Sequence, residues 1–174
     1  MIESDSSKAR NAAFALATSW EINMREAGNK TCARLNEMRK TCIDVICQTG
    51  YADDSVYDSL EKSYIHNVIS TKPDFEEIKK TLDALAAINS DKAVNLLYQF
   101  LHGLHQKKRA GAWSDTESIV FPWIINSLAI LKLKFRSIWN LLITICRSGD
   151  YTTEERLSAR DTLIKMKETM SNVP

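Results

Sequence analysis

Glycine and proline are both scarce in this sequence, with five and three among 174 residues. Sheets joined by tight hairpins depend on turn glycines, so the shortage argues against many short strands and favours long helices. It also leaves no glycine-rich loop to cradle a phosphate, and neither G-x-S-x-G nor H-E-x-x-H occurs. The four cysteines, Cys32, Cys42, Cys47 and Cys146, contain no C-x-x-C pair. Cys42 and Cys47 are five apart on a predicted helix, roughly 140° around its axis, which opposes a bridge. They are read as small apolar residues with reduced thiols, as in a cytoplasmic chain.

An excess of one charge is lacking too. The formal net charge is +1 and the pI is near 7.6, so there is no general attraction to nucleic acid or to an acidic membrane. No apolar run approaches the ~20 residues that span a bilayer. The opening MIESDSSKARNAAFALATSW carries acids and no basic n-region, unlike a secretory signal.

What is present, from end to end, is helical periodicity. A first helix is predicted from about Ser6 to Ala27, with Ala9, Ala13, Leu16, Trp20 and Met24 at spacings of three and four. Gly28 stands where a left-handed residue would end it. A second, about Thr31 to Gln48, carries Leu35, Met38, Cys42, Val45 and Ile46 and stops at Gly50. Asp53 or Asp54 caps a third (Val56, Leu60, Tyr64, Val68), which Lys72-Pro73 breaks. Asp74 with Glu77 forms a capping box for the fourth (Ile78, Leu82, Leu85), and Ser90 caps the fifth (Ala93, Val94, Leu97, Leu101, Leu104).

The same box spacing recurs in Ser114–Glu117 and Thr152–Glu155. The first opens helix six (Ile119, Val120, Trp123, Ile124, Leu128), in which Pro122 predicts a kink. The second opens helix eight (Leu157, Arg160, Leu163, Ile164, Met170). Between them, helix seven covers roughly Arg136 to Cys146 with Ile138, Leu141, Leu142 and Ile145. The expectation is all-α, with about eight helices in antiparallel pairs.

An internal repeat follows from aligning helix ends. Ile46, Leu85 and Leu128 stand 39 and 43 residues apart, against ~40–47 for HEAT and armadillo units. The segment Thr81 to Leu97, TLDALAAINSDKAVNLL, resembles a HEAT repeat: alanine-leucine, a short turn with Asp, then Ala-Val and paired leucines. Pro122 in a first helix is also similar to that family, and a long loop followed by a glutamate-containing cap resembles bacterial HEAT proteins. Asn89 departs from the usual glycine, and the turn Lys132-Leu133-Lys134-Phe135 is longer than the pattern. The resemblance implies a short α-solenoid, a HEAT-like superhelix. Residues 1–174 would form one domain, with 1–30 an N-terminal capping helix and 31–170 the helix-pair repeats.

The same resemblance implies a non-catalytic scaffold for an unidentified protein partner, with no cofactor and no catalytic residue. The loop Lys107-Lys108-Arg109-Ala110-Gly111-Ala112-Trp113 is the one aromatic-plus-basic cluster in the sequence, so Lys107, Lys108, Arg109 and Trp113 are the candidate binding residues. Such a cluster could grip phosphates while the indole stacks on a base, with Lys132, Lys134 and Arg136 extending it. Nucleic-acid binding, or a HEAT-like DNA-repair glycosylase using this loop from Lys107 to Trp113, is the rival reading, Asp115 beside Trp113 being too little to claim the enzyme; self-association into a homodimer is a third. His102 and His105 share a helix face, but nothing nearby completes the four ligands of a structural zinc site. They are read as helix-end histidines, not metal ligands. Trp20, Trp123 and Trp139 are predicted core, and Tyr51, Tyr57, Tyr64 and His66 pack around helix three.

Overall fold

The computed structural model describes the backbone over residues 2–25, 29–131 and 135–171, and side chains over 5–22, 34–131 and 135–168. Among the described residues there are eight α-helices and no strand: α1 (Ile2–Arg25), α2 (Asn29–Thr49), α3 (Asp54–Ile69), α4 (Phe75–Ile88), α5 (Asp91–Arg109), α6 (Asp115–Ile130), α7 (Arg136–Arg147) and α8 (Thr153–Ser171). The protein is all-α, and none of these helices is long and apolar enough to cross a membrane.

Most boundaries follow the capping chemistry. Asp53 Oδ1 accepts the Val56 amide at 3.0 Å and Ser90 Oγ accepts that of Ala93 at 3.2 Å, each satisfying an orphan donor of a helix start. Gly50 ends α2 in the left-handed region at φ +63°, its amide donating to the Ile46 carbonyl at 2.9 Å. Asn89 is left-handed too, at φ 48°, a conformation that asparagine tolerates better than most residues. Gly28 and the turn residues Lys132, Leu133 and Lys134 lie outside the described residues.

Two compact units divide the chain, Met1–Ile88 and Asn89–Pro174, and the boundary falls inside the Thr81–Leu97 segment. In the first unit α1 packs on α2 and α3 on α4, while α1 also meets α3 and α2 meets α4. The second unit repeats the scheme with α5–α6, α7–α8, α5–α7 and α6–α8. Each unit is a pair of helix hairpins laid together, burying one apolar stripe per helix.

The stripes of α4, α5 and α7 lie where their periodicity places them: Ile78, Leu82, Leu85, Val94, Leu97, Leu101, Ile138, Leu142 and Ile145 are all buried. Two stripes are rotated. In α2 the inner face is Leu35, Arg39, Cys42, Ile43 and Ile46, with Met38 and Val45 only half-buried. In α8 it is Ala159, Thr162 and Met166, leaving Leu157 and Ile164 at 47% and 45% exposure. The Thr162 hydroxyl donates to the Ile125 carbonyl at 3.4 Å, which turns a polar residue inward and carries the two aliphatic ones out. Trp20 is buried, whereas Trp123 and Trp139 are half-buried.

Arg39 enters the core because it is paired there. Its Nε donates to Glu77 Oε1 at 3.0 Å, with side-chain exposures of 1% and 0%. Its Nη2 donates to Asn36, and its guanidinium lies 4.2 Å from the Trp20 ring centre. Glu77 is thereby drawn out of the capping box expected for α4. Asp74 Oδ1 still accepts the Glu77 amide at 3.0 Å, but Asn67 Oδ1 takes the Asp74 amide, also at 3.0 Å. Outside this pair, Lys40 meets Glu76 at 3.0 Å and Asp74 at 3.4 Å, and Lys80 meets Asp44 at 2.6 Å. These bonds cross from α2 to α4 and join the hairpins of the first unit. Around α3, Tyr57 and Tyr64 are buried and His66 meets the edge of Trp20.

Candidate functional site

The basic end of α5 is built into the second unit by a left-handed turn. Gly111 at φ +70° lets its amide reach the Lys108 carbonyl at 3.1 Å, and the Ala112 amide reaches that of Lys107 at 2.9 Å. These bonds satisfy the last carbonyls of α5 and fold the chain back. Trp113 then lies beneath Lys108, whose Nζ is 4.2 Å from the indole centre and 5.5 Å from the Tyr151 ring. Lysine ammonium over an aromatic face is a favourable contact.

Both glutamates that cap the following helices also hold a lysine. Glu117 accepts the Ser114 amide on Oε2 at 2.9 Å, with the Ser114 hydroxyl on the same oxygen, and Lys107 Nζ on Oε1 at 2.5 Å. Glu155 accepts the Thr152 amide on Oε2 at 2.8 Å and Lys108 Nζ on Oε1 at 3.1 Å, while Thr152 Oγ1 accepts the Glu155 amide at 3.2 Å. Each carboxylate therefore divides its two oxygens between its own helix start and the end of α5. Lys108 and Glu155 are well shielded, at 12% and 14% side-chain exposure, where an ion pair is less screened than at an open surface.

An aromatic layer backs this junction. Phe121 lies 5.3 Å from Tyr151 and 5.8 Å from Trp113, and Trp113 meets Tyr151 edge-on at 6.3 Å. His105 stacks parallel to Tyr151 and shares a 2.9 Å hydrogen bond between Nδ1 and the phenol oxygen. Burial holds the His105 imidazole below the ordinary histidine range, and the charges of Arg109 and His102 press the same way. Burial also pushes the Tyr151 phenol up, with help from Glu155 and Asp150. Near neutral pH both groups are uncharged.

Outside the aromatic layer lies a cleft of about 450 Å³, with Lys108, Trp113, Phe121 and Pro122 on one side and Thr152, Glu154, Glu155 and Ser158 from the start of α8 on the other. No known family model matches the chain, and no curated protein or solved structure matches it. The cleft is thus read from its own residues.

Of the four candidates, the structure brings Lys108 and Trp113 together in the cleft. Lys107 is turned to Glu117, and Arg109 is exposed in the last turn of α5 and does not line the cleft. Arg136 is exposed at the start of α7; Lys132 and Lys134 lie outside the described residues. His102 and His105 have separate partners: His102 is exposed, stacks on Tyr98 and meets Gln106, while His105 is buried against Tyr151. Among the described residues no group of three or more His, Cys, Asp or Glu is placed to hold a metal ion. Asp115 is exposed at the start of α6. Cys42 is buried, Cys47 and Cys146 half-buried, and all three are free thiols raised by burial; the Cys32 side chain is outside the described set.

Phe121, Tyr151 and Glu155 are contributors that reading the basic loop alone misses. The signal for two of them is in the sequence. Trp113-Ser114-x-x-Glu117 and Tyr151-Thr152-x-x-Glu155 are the same arrangement, an aromatic directly before a capping box. An aromatic at that position is fixed in direction by the cap behind it, and here both point to one junction.

Proposed function

We propose that this chain is a non-catalytic interaction scaffold of the HEAT-repeat type, and that it engages a protein partner at the cleft of its second unit. The observation that carries the reading is the pairing of the two shielded titratable groups of the cleft, Lys108 and Glu155. Lys108 is held by Glu155, and Glu155 by the start of α8. Such groups shape a surface and are not poised to move a proton or attack a bond, while the aromatic and aliphatic wall supplies the apolar area that recognition sites use. The hairpin pairing within each unit accords with this reading, since stacked helix pairs present extended faces to partners.

The nucleic-acid alternative is weakened by the same pairs, because Lys107 and Lys108 are engaged by carboxylates. The test is affinity capture from native extract followed by mass spectrometry, comparing the unmodified chain with Ser158→Arg, which fills the cleft. The reading expects a discrete set of captured proteins that Ser158→Arg loses while its helicity and Tm are retained. An unchanged set, or salt-sensitive binding to labelled DNA or RNA as the dominant activity, would overturn it.

A further inference from the structure

We propose that the cleft receives a basic side chain, an arginine or lysine of the partner protein, seated against Trp113 and the carboxylates of Glu154 and Glu155 at the place that Lys108 now fills. The inference rests on the scaffold reading and adds the chemistry of the contact. Its first support is the internal lysine. Lys108 Nζ lies over Trp113 at 4.2 Å, near Tyr151 at 5.5 Å, and 3.1 Å from Glu155 Oε1. Aromatic faces together with a carboxylate make a seat for a cation, and the chain occupies that seat in cis.

The second support is the space and charge beside it. Lys108 itself lines a cleft of about 450 Å³, whose lining sets one lysine against two glutamates, and Glu154 is exposed there. Ser118, Thr152 and Ser158 add hydroxyl oxygens that can accept from a guanidinium or ammonium. Within this cleft an anionic ligand meets no comparable place among the described residues. The start of α8 would ordinarily draw one, but the Glu155 carboxylate already takes the Thr152 amide, and Glu117 does the same for Ser114 at the start of α6. Lys108 sits in the last turn of α5, so on leaving the seat its charge remains near a helix C-terminus, where cations are favoured.

The experiment uses the full chain and two labelled peptides, one with a single arginine among glycines and serines and one with glutamate in its place. Binding is read by fluorescence polarisation, and contact with the site by the shift of the Trp113 indole N–H resonance. Lys108→Met removes the ammonium that competes for Glu155 and the aromatic faces, so the arginine peptide should bind it at least about tenfold tighter than the unmodified chain, the scale of a shielded cation–aromatic contact. Lys107→Met is the control, removing an equal charge whose partner is Glu117, neither of which lines the cleft; it should change affinity less than about threefold, since screening weakens a charge outside the cleft.

Equal effects of the two variants, tighter binding of the glutamate peptide, or no binding of the arginine peptide to Lys108→Met would each overturn the proposal. The scaffold reading fails separately. If Ser158→Arg loses the captured proteins while the arginine peptide fails to bind, the chemistry assigned to the cleft is wrong and the scaffold stands. If capture survives Ser158→Arg, the scaffold's use of this cleft falls whatever the peptides do.

Discussion

Replacing Arg39 by methionine tests whether the charged layer of the first unit holds it together or is merely tolerated. Methionine keeps an unbranched stem against Trp20 but leaves Glu77, at 0% side-chain exposure, without its cation. Removing one member of a buried pair costs about 3–5 kcal/mol, because the remaining charge is stranded. For a chain of this length that is roughly 10 °C in Tm, at about 2–4 °C per kcal/mol. The double variant Arg39→Met/Glu77→Leu strands nothing. Arg39 Nη1 and Glu77 Oε2 have no hydrogen-bond partner among the described residues, so the pair only partly offsets its own desolvation. The double variant should therefore lie within about 1 kcal/mol of the unmodified chain or above it. Urea denaturation of both single variants and the double closes the cycle, with hydrogen exchange reporting whether the loss is confined to α1–α4. A loss below about 1 kcal/mol in Arg39→Met, or a double variant as unstable as the two singles added, would refute the reasoning.

Two further outcomes follow from local geometry. Because burial holds folded His105 below the ordinary value, the unfolded chain takes up its proton first as pH falls through about 6.5. Stability from this group is complete above that pH and declines below it until the folded imidazole also titrates, at no more than about 1.4 kcal/mol per pH unit. His105→Gln should flatten the dependence between about pH 7 and 5.5 in urea titrations, and an unchanged slope would show that another group governs it. Gly50→Ala places a Cβ in ordinary van der Waals contact with the Ala87 carbonyl oxygen at 3.8 Å, but at φ +63°. The left-handed backbone should then cost about 1–2 kcal/mol, and Gly50→Asn less; an alanine variant as stable as the glycine would contradict that account.

The helices were legible in the sequence where local chemistry fixes them. Ser90, Asp53 and the Thr152–Glu155 box act within four residues of chain, and Ile138, Leu141, Leu142 and Ile145 recur at the period their helix requires. What was hidden depends on partners far along the chain. Arg39 reads as an ordinary polar position on α2, because nothing near it announces Glu77, and Glu77 reads as half of a capping box for the same reason. In α8, Leu157 and Ile164 outrank Ala159 and Thr162 on any hydrophobicity scale, yet Thr162 is turned inward to the Ile125 carbonyl. The candidate site was half visible. The basic loop named Lys108 and Trp113, but two of their partners, Tyr151 and Glu155, lie some forty residues on.

The two units use the same device, a carboxylate at or near a helix start, for different ends. At Glu77 the carboxylate abandons its cap and goes into the core, so the charge is spent on fixing α2 against α4 and is closed to any ligand. At Glu117 and Glu155 it keeps the cap and uses its second oxygen for a lysine at the end of α5. The difference comes from the cation's position. Arg39 lies within α2 and meets Glu77 in the core; Lys107 and Lys108 lie in the last turn of α5, where the chain turns toward Trp113. The Lys108–Glu155 pair is shielded but borders the cleft, whereas the Arg39–Glu77 pair is closed in the core. Among the described residues, the cluster at Lys108 combines a lysine, a carboxylate and aromatic faces at an open cleft, and that combination is what the proposed exchange with a partner's cation requires.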